Sequence, residues 1–291
     1  EKIPSSLGGI DMALGLGEAS DDFLTVMRYA MPFDGGDVGT PSATWREDLP
    51  LVVLRIRDAS ATREPQAYPS AEFEARTGTV PPETSLAPDL VTLAKAVCAR
   101  WGQPCDLEGL ALEQRAPRLL NMRTALSMTG PECVQVGMNC LAPTEDTAYF
   151  MSARLPLPDD RVYALVGALG TQTGNATYVG LGLNSSVTQL GFDNIDDDTL
   201  AGSADVFPVP NAARLYVQYF ARDCSRPGVQ ALTAGSGCYS VGDQVPMCTD
   251  ITDLSCTMLV LSLRNYLLPG SQRGPAAELT LSPRVIPLTL P

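Results

Sequence analysis

RVYALVG at residues 161–167 and TYVGLGL at residues 177–183 decide the fold of this chain. Both runs have the length of a strand, contain β-branched and aromatic residues, and follow turn-forming residues. Prolines and the Asp159-Asp160 pair precede the first run, and Thr173-Gly174 precede the second. We therefore expect two strands. The small residues that alternate with large ones in the second run predict a close approach of neighbouring groups to its backbone.

Similar runs occur along the whole chain, and we expect each of them to form a strand. Many short strands separated by turn signals are typical of a sandwich. The expected fold class is mainly β: an antiparallel sandwich or jelly-roll-like sheet with a small helical insertion and local disulfides. Residues 148–154 and 161–167, joined by a turn-rich connection, predict a hairpin. The remaining predicted strands are 23–30, 51–57, 214–222, 256–264, 279–281 and 285–288.

The chain has 291 residues, a length that suits one large domain or two modest ones. Residues 1–22 show little periodicity and predict an extended N-terminal arm, whereas residues 23–291 predict a single β-rich domain. Within that domain, the proline-rich residues 59–87 predict a surface excursion. Residues 88–117 predict a helical insert in two pieces, the second at 106–116. We expect Asp89 to cap the first helix, and Gly102 and Pro104 to end it.

The eight cysteines fall into four pairs of sequence neighbours. An even number without a Cys-x-x-Cys motif favours disulfides over zinc, and reduced buried thiols are the third alternative. Disulfides in turn predict a secreted or extracytoplasmic location, such as the periplasm, the cell surface or an organelle lumen. Because short loops close easily, the pairing that we expect is Cys98–Cys105, Cys133–Cys140, Cys224–Cys238 and Cys248–Cys256.

Two N-glycosylation triplets, at Asn175 and Asn184, point to the same kind of compartment. A glycan on either asparagine requires a secretory route that carries the glycosylation machinery. Such triplets also arise by chance, and in a bacterial source they would usually not be glycosylated. The sequence therefore predicts two acceptor sites and leaves their use open.

The chain contains no histidine. This absence excludes Ser-His-Asp hydrolysis, Cys-His proteolysis and histidine-ligated zinc or haem. The formal net charge of −13 opposes binding to nucleic acid and to anionic membrane surfaces. No apolar run approaches the length that spans a bilayer. We therefore assign no catalytic residue and expect neither a nucleic-acid partner nor a membrane span.

The densest acidic segment runs from Asp193 to Asp198. Calcium prefers oxygen ligands from a flexible turn, so Asp193, Asp196 and Asp198 are candidate calcium ligands, and calcium is the one cofactor that we consider. The segment departs from the EF-hand pattern, because Asp198 stands where the turn glycine belongs. A solvated acidic loop is the alternative interpretation.

These features favour a binding or structural protein over an enzyme, and we expect the chain to be one subunit of a larger extracellular or lumenal assembly. We expect protein partners or self-assembly, with carbohydrate as a further ligand class. The tyrosines on the predicted strands either fill the core or stack against sugars. The first alternative is a calcium-dependent adhesion or lectin-like module. The second is a carboxylate-based hydrolase of carbohydrate. Its candidate acids are Glu72, Glu74, Glu83, Glu108, Glu113 and Glu132.

Overall fold

The structure, a computed structural model, describes residues 82–105, 147–188, 190–246, 248, 255–271, 274–275 and 279–290. The chain divides into two units, Glu1–Glu72 and Phe73–Pro291, and every described residue belongs to the second. Several predictions lie outside the described residues. They are the arm 1–22, the strands 23–30 and 51–57, most of the proline-rich excursion, the helical piece 106–116 and the pair Cys133–Cys140.

The described residues form two four-stranded sheets. The strands are β1 (Thr147–Met151), β2 (Arg161–Ala168), β3 (Tyr178–Ser185), β4 (Gly191–Asp196), β5 (Leu215–Ala221), β6 (Gly237–Ser240), β7 (Leu259–Tyr266) and β8 (Arg284–Thr289). Sheet A has the order β1-β7-β3-β4 and is antiparallel throughout. Sheet B has the order β6-β5-β2-β8, with β5 and β6 parallel and its other pairs antiparallel. The expected mainly β sandwich is confirmed.

One long helix accompanies the sheets. α1 (Ala87–Arg100) occupies the first part of the predicted insert and packs on β2 and β8. The shorter helices are α2 (Gly170–Thr173), α3 (Asp197–Leu200) and α4 (Pro227–Thr233), and 3-10 turns cover Glu83–Leu86, Ala212–Arg214 and Gly242–Gln244. The predicted cap at Asp89 is wrong, because α1 continues directly from the preceding 3-10 turn and Asp89 lies in its first turn. The predicted end is confirmed, since Gly102 has a φ of 63° just beyond the last helical residue.

Residues of β2 alternate between two hydrophobic cores. Val162, Ala164 and Val166 belong to the core that α1 shares with sheet B. Tyr163 and Leu165 belong to the core that sheet B shares with sheet A. Sheet B is therefore the middle layer of three. Because both of its faces are covered, RVYALVG is a nearly continuous apolar run rather than an alternating one.

The glycines of β3 leave room for polar side chains on the other face of sheet A. Val179, Leu181 and Leu183 are fully buried between the sheets, so Gly180 and Gly182 face the opposite way. A Cβ atom at Gly182 would lie 2.8 Å from the Ser262 Oγ. At Gly180 it would lie 3.2 Å from the Asn194 Oδ1. The close approach that the glycines predict is thus made by side chains of the neighbouring strands.

The predicted hairpin of residues 148–154 with residues 161–167 is wrong. β1 pairs with β7, whereas β2 pairs with β5 and β8, so the two segments lie in different sheets. The connection between them runs past β7, where Leu155 and Leu259 form an isolated bridge. Turn residues in the sequence show where a strand ends, but they do not show which strand it pairs with.

The predicted strand at residues 279–281 is also wrong. No strand includes these residues, because the Leu281 N–H donates to the Glu83 carboxylate at 2.9 Å instead of to a neighbouring strand. Two strands were not predicted at all. The sequences of β4 and β6, GFDNID and GCYS, are polar and short, and these properties suit loops as well as edge strands.

Candidate functional site

Three disulfides tie loops to the sandwich in the part of the chain that the structure describes. Cys98–Cys105 closes the turn after α1, Cys224–Cys238 joins the loop after β5 to β6, and Cys248–Cys256 closes the segment before β7. Their Cα–Cα distances are 5.5, 6.0 and 6.0 Å, which are ordinary disulfide spacings. The expected pairing of sequence neighbours is confirmed for these six cysteines.

The loop that Cys98–Cys105 closes holds Gln103 against the free edge of sheet B. The Gln103 side-chain amide donates to the Thr289 carbonyl and accepts from the Thr289 N–H, the latter at 3.2 Å. These two bonds occupy the place of a neighbouring strand at the end of β8. Two residues earlier, on the same side of the strand, Pro287 has no N–H to donate. Further strand pairing is therefore blocked at both positions.

β6 is a four-residue edge strand that is fastened in two ways. Cys238 binds it covalently to the loop after β5. The next residue, Tyr239, donates a hydrogen bond to the Asp193 carboxylate on β4, so the edges of the two sheets are linked. Burial, followed by the hydrogen bond with Asp193 and its negative charge, raises the pKa of Tyr239 to about 12. The phenol therefore remains a neutral donor at physiological pH.

Arg222, which follows β5, holds two loops at the same end of sheet B. Its Nε donates to the Leu157 carbonyl at 2.6 Å. Its Nη1 donates to the Gly242 carbonyl at 2.7 Å and to the Val245 carbonyl. A guanidinium fork suits several carbonyls at once, and its charge strengthens each bond. Arg222 is thus a fixed connection between loops rather than a free cation.

The acidic segment forms the end of β4 and the start of α3. Asp193 and Asp196 are three residues apart on β4, so their side chains leave opposite faces of the strand. The Asp196 carboxylate accepts from the Thr199 N–H at 2.9 Å and caps α3, and this hydrogen bonding lowers the Asp196 pKa. Asp198 lies in the first turn of α3. In the described residues no group of three acidic or cysteine side chains is placed to hold a metal ion. Calcium binding stays a prediction without a built site.

Both predicted glycosylation sites point inward. Asn175 is 2% exposed and Asn184 is 8% exposed. The Asn184 Nδ2 donates to the Ser262 Oγ at 2.9 Å and also reaches the carbonyls of Gly182 and Val260. A glycan on this nitrogen would have to displace these bonds and open the face of sheet A. Asn175 and Asn184 are thus buried in the folded chain, and glycan attachment at them stays a prediction.

Glu83 is the one candidate hydrolase acid that lies among the described residues, and it is buried. It is 2% exposed, and its two oxygens accept from the Thr173 Oγ1 at 2.5 Å and from the Leu281 N–H at 2.9 Å. Burial first, and the Glu83 charge second, raise the pKa of the nearby Tyr216. Glu83 fastens the turn before α1 to the sandwich. The end of the expected surface excursion, residues 83–87, thus includes a buried anchor.

Most aromatic side chains of the described strands fill the cores. Tyr216, Tyr219 and Phe220 are fully buried. Tyr178 is partly exposed, packs 5.7 Å from the Tyr266 ring and accepts from the Asn194 Nδ2 at 3.2 Å. Of the two interpretations of the strand tyrosines, core filling describes Tyr216 and Tyr219. Tyr178 belongs to the polar outer face of sheet A.

Sequence reasoning missed two residues with clear roles, Gln103 and Tyr239, and it did not single out the exposed Leu190. The first two are neighbours of disulfide cysteines, which is a signal that the sequence does carry. Leu190 lies in the β3–β4 turn and is 70% exposed, which is the largest exposed fraction among the large apolar side chains in the described part of the chain. The two apolar residues within this turn, Val187 and Leu190, were the available signal.

Within the described residues, no helix has the length and apolar character needed to cross a bilayer. No protein-family model matches the chain, and neither a curated protein nor a solved structure matches it.

Proposed function

We propose that this chain is an extracytoplasmic, disulfide-stapled binding or structural protein that acts as a subunit of a larger extracellular or lumenal assembly. The observation that carries the proposal is the set of three local disulfides. Disulfides persist in oxidising compartments and are reduced in the cytosol. Each of the three stiffens a loop or an edge strand, and a stiff loop loses little conformational freedom when it binds a partner.

The acidic side chains also favour binding over catalysis. Glu83, Asp193 and Asp196 each accept hydrogen bonds from the protein itself, and these bonds hold a turn, an edge strand and a helix in place. A glycosidase acid needs an open carboxyl group that faces the substrate. Carboxylates that already fasten the fold are better suited to a scaffold than to proton transfer.

The proposal is tested by counting thiols in the chain as its native cells make it. Cells are lysed in denaturant with a heavy maleimide, without reductant, and adducts are counted by the shift in electrophoretic mobility. A parallel sample is reduced first and shows the full shift. We expect no adduct on the cysteines of the three disulfides, and we expect the chain to fractionate with extracytoplasmic proteins.

The outcomes separate cleanly. A chain in an extracytoplasmic fraction without adducts on these six cysteines supports the proposal. A cytosolic chain with all of its thiols free overturns it, because the compartment and the stapled loops are both lost. Native mass measurement of the same fraction then tests the assembly, and a lone monomer at physiological concentration contradicts the subunit role.

A further inference from the structure

The turn between β3 and β4 presents two apolar side chains to solvent. We call Ser186, Val187, Thr188 and Leu190 the β3–β4 tip. Val187 is 46% exposed and Leu190 is 70% exposed. Single apolar residues on a surface are common, but here two of them share one short turn that projects from the end of a hairpin. The tip is therefore an apolar contact point.

Hydrogen bonds within the turn fix its conformation. The Ser185 Oγ accepts from the Val187 N–H at 3.3 Å and from the Thr188 N–H at 3.2 Å. The Thr188 Oγ1 accepts from the Leu190 N–H at 3.3 Å. The Ser185 N–H donates to the Leu190 carbonyl at 3.0 Å and closes the turn. Because these bonds already restrain Ser185, Val187, Thr188 and Leu190, a partner that binds these residues has little conformational entropy to overcome.

Ser186 anchors the tip to a disulfide-bonded segment. Its N–H donates to the Met258 carbonyl at 2.9 Å, and its Oγ accepts from the Met258 N–H at 2.8 Å. The Ser186 Oγ also lies 3.4 Å from the carbonyl oxygen of Cys256, which is bonded to Cys248. The tip is thus held from both the hairpin and the segment before β7.

The charge beside the tip selects the kind of partner. β4 runs from the tip to the start of α3 and carries Asp193 and Asp196, and the exposed Asp198 follows. At 3.3 Å per residue, Leu190 and Asp196 lie about 20 Å apart. A second copy of the chain would bring like charges together, and each chain carries a net charge of −13. A basic partner would bring opposite charges together.

We propose that the β3–β4 tip and the acidic strand β4 form a docking surface for a basic, amphipathic segment of a partner protein. Apolar side chains of that segment cover Val187 and Leu190, and its Arg or Lys side chains face the carboxylates that follow. This inference rests on the proposed binding function and gives it a site and a partner chemistry.

The probe is a fluorescein-labelled peptide of about 14 residues, which as a helix spans about 21 Å. It carries leucines on one helical face and arginines on the other, and a matched peptide replaces every leucine by serine. Fluorescence anisotropy measures binding to the full, oxidised chain. We expect the leucine peptide to bind and the serine peptide to bind at least about tenfold more weakly, because burial of the tip side chains is lost.

Variants locate the binding surface. The double change Val187→Ser with Leu190→Ser should weaken binding of the leucine peptide by about tenfold or more. Asp198→Asn should weaken it by about two- to threefold and reduce its salt dependence. The matched control is Leu279→Ser, since Leu279 is 38% exposed and lies elsewhere in the chain. It should leave binding unchanged.

Equal binding to the parent and the tip double variant would overturn the inference, as would equal binding of the two peptides. Sedimentation that reveals a dimer which Leu190→Ser dissolves would also overturn it, because the occupant would then be a second copy. The thiol count tests the proposed function, and its result does not depend on whether the peptide binds. An oxidised chain that does not bind the peptide refutes the docking surface alone, whereas a chain with free thiols refutes the proposed function.

Discussion

Removal of the Cys224–Cys238 disulfide tests how the edge of sheet B is stabilised. The bond joins residues 14 apart in sequence. The loop that it closes thus has about 15 residues, and the loss of loop-closure entropy in the unfolded chain corresponds to about 3 kcal/mol at 25 °C. We expect the double variant Cys224→Ser with Cys238→Ser to lose about this much of its free energy of unfolding. The measurement is urea denaturation at pH 7 without reductant, followed by far-ultraviolet circular dichroism.

The structure also predicts which strand loses stability most. β6 has four residues and pairs only with β5 in the described part of the chain. Without the disulfide, β6 keeps its pairing with β5 and the Tyr239–Asp193 hydrogen bond to sheet A. The amides of Gly237–Ser240 should therefore exchange with deuterium at least tenfold faster in the variant, because this strand opens before the whole domain unfolds.

The matched control is the double variant Cys98→Ser with Cys105→Ser. Its bond joins residues 7 apart, which corresponds to about 2.5 kcal/mol by the same relation. The two global losses are close, but the local responses differ. In the control variant, exchange should accelerate at the Thr289 amide, which Gln103 protects, and not in β6. A loss below about 1 kcal/mol for Cys224–Cys238, or the same exchange pattern in both variants, would refute the reasoning.

Three further predictions follow from single side chains. Arg222→Met should lower the free energy of unfolding, measured by urea denaturation, by about 3 kcal/mol, because charge-assisted hydrogen bonds to loop carbonyls are lost. The control Arg226→Met loses one such bond at an exposed site and should lower it by less than about 1 kcal/mol. Gln103→Ala should cost about 1 kcal/mol and raise the aggregation rate measured by light scattering, because the edge of β8 is opened. Asp193→Asn should lower the pKa of Tyr239 from about 12 towards the ordinary tyrosine value, as read from the absorbance at alkaline pH against Tyr239→Phe. Because the folded-state pKa of Tyr239 is raised, its stabilising contribution is complete below about pH 10 and is lost as the pH rises through about 12. Unchanged alkaline stability in Asp193→Asn would therefore contradict the hydrogen bond between Tyr239 and Asp193.

Strands with an apolar sequence could be predicted, including the edge strands β1 and β8, whereas the short, polar edge strands β4 and β6 could not. RVYALVG identifies β2 because both of its faces are apolar. β4 has the polar sequence GFDNID, in which Ile195 is the one side chain buried between the sheets. Its strand conformation depends on pairing with β3, and that partner is not visible in the local sequence. The same limit explains the wrong hairpin, since pairing in a sandwich is decided by the two cores together.

The cysteines give the opposite case, because a local rule was sufficient. Short loops close at little entropic cost, so sequence neighbours such as Cys98 and Cys105 pair. The asparagine triplets show why a motif alone is weaker. Asn184 matches an acceptor pattern, but its amide serves as the donor that fills the space above Gly182. Burial, which a triplet does not encode, decides how accessible the acceptor nitrogen is in the folded chain.

The edges of the sandwich explain why the tip is the more favourable place for a partner. The Asn194 N–H on β4 donates to the Asp193 carboxylate at 2.7 Å and is not available to an added strand. On β8 Pro287 has no N–H to donate, and the Thr289 N–H is bonded to Gln103. An added strand would first have to break these bonds, and each costs about 1 kcal/mol to lose. The exposed side chain of Leu190 has no such cost, so contact at the tip gains free energy from burial alone. The hydrogen bonds of Asn194 and Thr289 and the proline at position 287 oppose strand addition, and they thus favour association at the hairpin turn.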